Sequence, residues 1–230
     1  MNVTACLVTN KADPLHMQPV IDSLPEAWEK IIWNNAGPWV IGHGSFGSRI
    51  DTSGWPSPGS SDLSVYGRYA AIEYASHDLI YVQDDDVIVS DPQAVVDEWI
   101  LMRSPGVDPA WNGVVCNMPP EFRPHYPDSA LVGFGACFQR NKPKKAFDRM
   151  LRAGIDFGLE SLDAGLGSPD RWMFRECDRV FTCLTPRILV DVPKQDREFA
   201  SDPDRLWKQS GHHESTARML DLARKVRDAT

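Results

Sequence analysis

The sequence has no long hydrophobic run. Nothing in its 230 residues approaches the roughly 18 to 20 consecutive apolar positions that a membrane-spanning helix needs. Met1-Asn2-Val3-Thr4-Ala5-Cys6 offers no basic segment followed by an apolar stretch, so no secretory signal is expected. Cysteine is scarce and scattered: Cys6, Cys116, Cys137, Cys177 and Cys183 include no CxxC pair. That argues against a zinc ribbon or a thioredoxin-type centre and leaves buried free thiols, as in a reducing cytoplasm. Positive charge is also in short supply. Lys and Arg number 24 against 32 Asp and Glu, giving a net charge of -8 and a pI near 5.2. Broad, non-specific nucleic-acid binding needs a basic footprint and is disfavoured, although a local basic groove remains open. No internal repeat and no low-complexity segment occurs. What is present suits one globular domain: 42% hydrophobic residues, and eight Trp available for a core or for stacking on sugars and bases.

The chain is organised around Leu79-Ile80-Tyr81-Val82-Gln83-Asp84-Asp85-Asp86-Val87-Ile88-Val89. Leu79 to Val82 reads as a buried strand, rich in β-branched and aromatic residues. Adjacent carboxylates at the end of such a strand repel one another, and burial penalises each further. A divalent cation is the simplest compensation. Mg²⁺ and similar hard ions take oxygen ligands and keep positions for substrate phosphates. The residues therefore point to a metal site that holds a nucleotide diphosphate. A solvated acidic turn is the competing reading.

Around this stretch the chain reads as α/β. A strand at Val3 to Thr9, a polar turn, a helix from Leu15 to Leu24 and a strand at Lys30 to Asn35 form a βαβ unit, which implies a parallel sheet. Ligands bind outside the carboxyl ends of such strands, which nominates Thr9, Asn10, Asp13, Asn34 and Asn35. Residues 37–61 read as an irregular flap. A helix from Asp62 to Ser76 carries Arg68, whose guanidinium can reach a phosphate or one of the acids. A helix from about Gln93 to Met102 follows the cap signal Ser90-Asp91-Pro92. Strands are expected at Asn112 to Asn117 and at Ala130 to Arg140. The small residues Gly133-Phe134-Gly135-Ala136 in the latter suggest close approach by a ligand or another backbone. Beyond lie a basic helix from Pro143 to Ala153, a helix opened by Ser168-Pro169-Asp170, strands at Val180 to Leu184 and Ile188 to Val192, and a polar loop from Lys194 to Asp204. A final helix from Glu214 to about Val226 follows His212 and His213.

In element order these residues resemble the GT-A class of nucleotide-sugar glycosyltransferases. Ile80 to Val87 looks like that class's DxD motif, with an exostosin-like flavour. The resemblance implies a single GT-A-like domain over residues 1–230, with a Rossmann-type mixed, mostly parallel sheet flanked by helices. Residues 1–90 would be the nucleotide-binding half and 91–230 the acceptor-binding half with its C-terminal helix. It implies that Asp84 contacts the ribose, that Asp86 with Asp84 holds Mn²⁺ or Mg²⁺, and that Asp85 sits between them. Thr9, Asn10 and Asp13 would hold base and ribose, Arg68 would be the basic residue before the motif, and Gly135 and Ala136 would line the donor sugar. Asp170 would stand beside the acceptor, as the base of an inverting reaction or as an orienting group in a retaining one. His212 or His213 would complete the metal shell. The implied activity is transfer of a sugar from a nucleotide diphosphate, expected to be a UDP-sugar, to an acceptor hydroxyl on a glycan, a small molecule, a protein or a hydroxymethylated DNA base. Two other readings stay open. One is a nucleotidyltransferase, for which Asn10-Lys11-Ala12-Asp13-Pro14 is a poor phosphate loop. The other is a cation-stabilised carbohydrate-binding module without catalysis.

Overall fold

The computed structural model describes residues 2–9, 14–35, 41–43, 64–155, 176–197 and 212–229, with the side chains of 14–15, 41–43, 64 and 212–215 outside that set. Its central strand, β1 (Val3–Thr9), is buried along its whole length, as a near-continuous apolar run covered on both faces should be. β1 pairs in parallel with β2 (Glu29–Asn34), from Thr4 opposite Glu29 to Thr9 opposite Asn34. On its other side it pairs in parallel with β4 (Leu79–Val82). The remaining strands of this sheet are β3 (Ile41–His43), β6 (Val114–Asn117), β7 (Ala136–Gln139) and β8 (Arg187–Val190), in the order β3-β2-β1-β4-β7-β6-β8. β3 and β7 run antiparallel to their neighbours, whereas β6 and β8 are parallel to each other. Five of the seven strands therefore point the same way: the sheet is mixed and mostly parallel, as expected.

Side chains alternate strictly between two cores, as the period of a strand requires. Cys6, Val8, Ile31, Trp33, Ile80 and Val82 enter one. Val3, Ala5, Leu7, Ile32, Leu79 and Tyr81 enter the other. The second face is covered by α1 (Gln18–Ser23) and α3 (Pro92–Met102), through Val20, Val95, Val96 and Trp99. Asp91 caps α3, accepting from the Ala94 amide at 3.1 Å, with Pro92 at the first position. The first face is covered by α2 (Gly67–Ala71), α4 (Lys142–Arg152), α5 (Cys177–Leu184) and α6 (His212–Asp228). The sheet is flanked by helices on both faces. Among the described residues no helix is long and apolar enough to cross a membrane.

Four local expectations change. Val180 to Leu184 is helical rather than a strand: it continues the helix begun at Cys177, and 180–184 are all buried, an apolar run that periodicity does not separate from a buried strand. Within the expected loop from Lys194, β9 (Lys194–Asp196) pairs antiparallel with β5 (Val87–Val89). The partner strand decides this pairing, since Lys-Gln-Asp has little strand preference of its own. The expected flap contributes β3 to the sheet edge. The strand expected from Ala130 begins only at Ala136, because Gly135 has a φ of +105° and turns the chain first.

Candidate functional site

The chain leaves β1 for β2 and β3 on one side, then returns to place β4 on the other side of β1. The crevice outside the carboxyl ends of β1 and β4 is thus the point where strand order reverses, the place at which open α/β sheets bind ligands. Thr9 ends β1, Asn34 ends β2, and Asp84-Asp85-Asp86 follow β4 by one residue. Val8 and Asp84 form an isolated parallel bridge that continues the β1–β4 pairing up to the first acid. The sequence-expected residues Thr9, Asn34, Asp84, Asp85 and Asp86 therefore gather at one end of the sheet. Asn34 is almost fully enclosed there, at 2% exposure. Asn10, Asp13 and Asp170 lie outside the described residues, as do the side chains of His212 and His213, whose backbone opens α6.

Each acid has its own surroundings. Asp84 receives the Arg68 Nη2 hydrogen bond on Oδ1, and its amide donates to the Gly133 carbonyl at 2.8 Å. Asp85 Oδ2 accepts from Thr9 Oγ1 at 2.6 Å and lies 3.4 Å from His16 Nε2. Its backbone carbonyl accepts from Arg197 Nη1 at 2.7 Å, an atom that also bonds the His16 carbonyl at 2.8 Å. The Asp86 carbonyl accepts from the Arg197 amide at 2.8 Å. The turn itself is closed by buried Gln83, which accepts from the Tyr81 hydroxyl at 2.8 Å and donates to the Val87 carbonyl at 2.9 Å.

Arg68 meets an acid rather than open solvent. It has no exposed surface. Its Nη2 bonds Asp84, its Nε bonds the Val65 carbonyl at 3.2 Å, and its Nη1 lies 3.6 Å from Asp178 Oδ2 on α5. Tyr69 OH donates to the other Asp178 oxygen at 2.6 Å. Burial works against the Arg68 cation, yet Asp178 and then Asp84 outweigh it and hold its pKa above the usual range. Burial pushes the Asp178 carboxyl up, opposed by Arg68 and by the Tyr69 hydrogen bond.

Gly133 is required by closeness. A Cβ there would fall 2.0 Å from Asp84 Oδ2 and 2.4 Å from its Cγ, so the Asp84 carboxylate occupies the space a side chain would fill. Gly135, a donor-lining expectation, faces the Tyr81 hydroxyl, 2.7 Å from where its Cβ would stand. Ala136, expected beside it, is wholly enclosed in the core between its sheet neighbours Val82 and Cys116. This loop is fastened by Asn117. Its Nδ2 donates to the Phe134 and Val192 carbonyls at 2.9 and 3.0 Å, and its Oδ1 accepts from the Val192 amide at 2.8 Å. Sequence reading singled out neither Asn117, His16, Asp178 nor Arg197. A polar residue at a strand end was the available signal for Asn117; the others meet the site only through the fold.

The donor chemistry suits a hard divalent cation: carboxylate oxygens, with no thiolate at the turn. Among the described residues no group of three His, Cys, Asp or Glu forms a ready cage. One or two carboxylates completed by substrate phosphate oxygens is the way Mg²⁺ is usually held, and Asp85 and Asp86 fit that pattern; Asp84, expected as the ligand beside Asp86, has its Oδ1 bonded to Arg68 instead. A separate cavity of about 540 Å³ lies between α2 and α4, lined by Tyr66, Glu73, Asp78, Arg140 and Phe147. It belongs to the other end of the sheet, since Asp78 immediately precedes β4.

No family model and no curated protein matches the sequence. Among solved structures, a mannosyltransferase from Pyrobaculum calidifontis, PcManGT, in complex with GDP-Man and Mn²⁺, is similar at 14% identity. The match covers 99% of this chain and 73% of that one, with a TM-score of 0.39. The galactosyltransferase LgtC, in complex with donor and acceptor sugar analogs, is similar at 13% identity over 97% of this chain and 95% of its own, with a TM-score of 0.40. An active-site mutant of LgtC gives the same identity and coverage and a TM-score of 0.41. Superpositions this loose assign neither family nor activity.

Proposed function

We propose that the protein is a metal-dependent glycosyltransferase of GT-A type, moving a sugar from a nucleotide diphosphate to an acceptor hydroxyl. One observation carries this reading: three consecutive acids stand at the carboxyl end of β4, at the reversal point of the sheet, with Asp85 tied to Thr9 at the end of β1. Asp85 and Asp86 would hold Mn²⁺ or Mg²⁺, with His212 or His213 as a further ligand. When bound, such an ion offsets charge that builds on a leaving diphosphate.

The chain's own groups do the rest. Thr9 and Asn34, with Asn10 and Asp13, bind base and ribose of the donor. Asp84, held by Arg68, offers its remaining oxygen to the ribose. The turn at Gly135 brings backbone close to the donor sugar, and Ala136 backs it from the core. Asp170 orients the acceptor and, in an inverting reaction, takes its proton, a task that suits a carboxylate of tuned pKa. The acceptor is a hydroxyl compound, with a glycan or a hydroxymethylated DNA base as candidates, and UDP-sugars are the first donors to try.

The test is calorimetric titration of UDP or GDP into the protein with and without Mn²⁺, alongside a screen of nucleotide sugars for released nucleoside diphosphate. Wild type should bind the diphosphate only with the metal, and Asp86→Ala should lose this binding. Equal binding by Asp86→Ala would remove the metal assignment. Consumption of added pyrophosphate, with formation of a nucleoside triphosphate and a sugar 1-phosphate, would turn the reading to nucleotidyl transfer, and sugar binding without turnover to a carbohydrate-binding module.

A further inference from the structure

We infer that Asp178, partly buried on α5, is a positioning residue for the acid turn: through Arg68 it sets the charge against which Asp84 is balanced, and with it the turn's affinity for a divalent cation. This rests on the metal reading above. The geometry is specific. Arg68 is fully enclosed and stands between two carboxylates, bonded to Asp84 on one side and 3.6 Å from Asp178 on the other. Asp84 is the partly open member, its side chain 37% exposed against 15% for Asp178. One cation is therefore shared between an acid at the crevice and an acid beneath it.

Asp178 is itself fixed. The Tyr69 hydroxyl bonds it at 2.6 Å. Glu176, just before α5, accepts from Thr216 of α6 at 2.8 Å, which ties the start of α5 to the last helix. The sign of the effect follows from the charges. With Asp178 ionised, the trio of Asp84, buried Arg68 and Asp178 carries a surplus of negative charge at the crevice. Without it, Asp84 and Arg68 cancel, and the potential felt by a cation at Asp85 and Asp86 becomes less negative. Partners directly behind metal ligands change metal affinity by about 10- to 100-fold when removed; Asp178 acts from further back, through Arg68 and Asp84, which places its effect at the low end of that range.

The experiment measures Mn²⁺ affinity by calorimetry and by manganese spin-resonance titration, in the presence of UDP, for wild type, Asp178→Asn and Tyr69→Phe. Asn keeps the shape of Asp178 and can still accept from Tyr69. Asp178→Asn is expected to weaken Mn²⁺ binding by about tenfold, at the low end for such partners, in protein that remains folded. Tyr69→Phe removes only the 2.6 Å hydrogen bond. With the Asp178 charge kept and its hydroxyl partner gone, Mn²⁺ binding should be held or strengthened; weaker binding overturns the inference, which keeps the test alive if Asp178→Asn does not fold. A purely structural role would lower melting temperature and leave the Mn²⁺ affinity of the folded protein unchanged; that result overturns the inference. Failure of wild type to bind Mn²⁺ at all overturns the metal reading first, and this inference with it.

Discussion

Gly133→Ala tests the packing of the acid turn directly. The added methyl would sit 2.0 Å from Asp84 Oδ2, 2.4 Å from Cγ and 2.9 Å from Oδ1. These atoms cannot simply swing away, because Arg68 holds Oδ1 and the Asp84 amide is bonded to Gly133 itself at 2.8 Å. Either the 133–135 turn or the carboxylate must move. Overpacking of this kind costs about 1–3 kcal/mol. For a chain of this length that lowers the melting temperature by about 2–12 °C. The assay is urea unfolding followed by tryptophan fluorescence, with Gly106→Ala as the control, since a Cβ there meets nothing within 4 Å. The control should be neutral or slightly stabilising, by up to about 1 kcal/mol where the backbone permits Ala. If Gly133→Ala unfolds with its control, Asp84 does not occupy the space described, and the arrangement of Arg68 around it is wrong too.

Asn117→Ala removes the three side-chain hydrogen bonds that fasten Phe134 and Val192 and leaves buried backbone groups without their partner. A loss of about 2–3 kcal/mol in the same unfolding assay is expected, and a loss below about 0.5 kcal/mol, the level of an ordinary surface change, would show the staple to be dispensable. Glu29 supplies a pH signature. Burial alone would raise its pKa, but hydrogen bonds from Thr4 and from Ser76 hold it below the ordinary 4.5. A depressed carboxyl contributes stability above its unfolded pKa and loses it as pH falls through the folded value. The melting-temperature gap between wild type and Glu29→Gln should therefore be constant above pH 4.5 and close below it; a gap that widens on acidification would reverse the assignment.

The parts of this fold that can be read from sequence are those whose local pattern and tertiary role agree. Leu79 to Val82 is apolar, β-branched and aromatic, and it is a buried strand. Asp91-Pro92 reads as a cap and is one. The reading fails where composition and context part. Val180-Phe181-Thr182-Cys183-Leu184 has strand-like residues and is buried throughout, so only its continuation of the turn begun at Cys177 makes it helical. Lys194-Gln195-Asp196 has no strand character, and only β5 makes it one. The small residues of Gly133 to Ala136 suggest close approach by a ligand or another backbone. What approaches Gly133 is the Asp84 carboxylate, a contact no spacing announces. Asp178 was invisible for the same reason: 109 positions separate it from Tyr69, and only the sheet and its covering helices bring them together.

The three acids in a row pose one electrostatic problem, and the fold solves it unevenly. Asp84 is answered by a buried guanidinium, Asp85 by Thr9 and His16, and the turn's carbonyls by Arg197. A turn that only needed to survive in water would have left these charges to solvent, where screening makes them inexpensive. Enclosing Arg68 completely is costly unless its partners are held well, and that cost is borne beneath the crevice where β1 and β4 end. Counted as ionised, Asp84, Asp85, Asp86 and Asp178 exceed Arg68 and Arg197 by two negative charges. That surplus equals the charge of one divalent cation. An added cation would neutralise the cluster, whereas a nucleotide diphosphate arriving without one would meet repulsion. On that arithmetic the proposed diphosphate binding would depend on metal, and this order of dependence would distinguish a metal-and-donor site from an acidic turn that merely ends a strand.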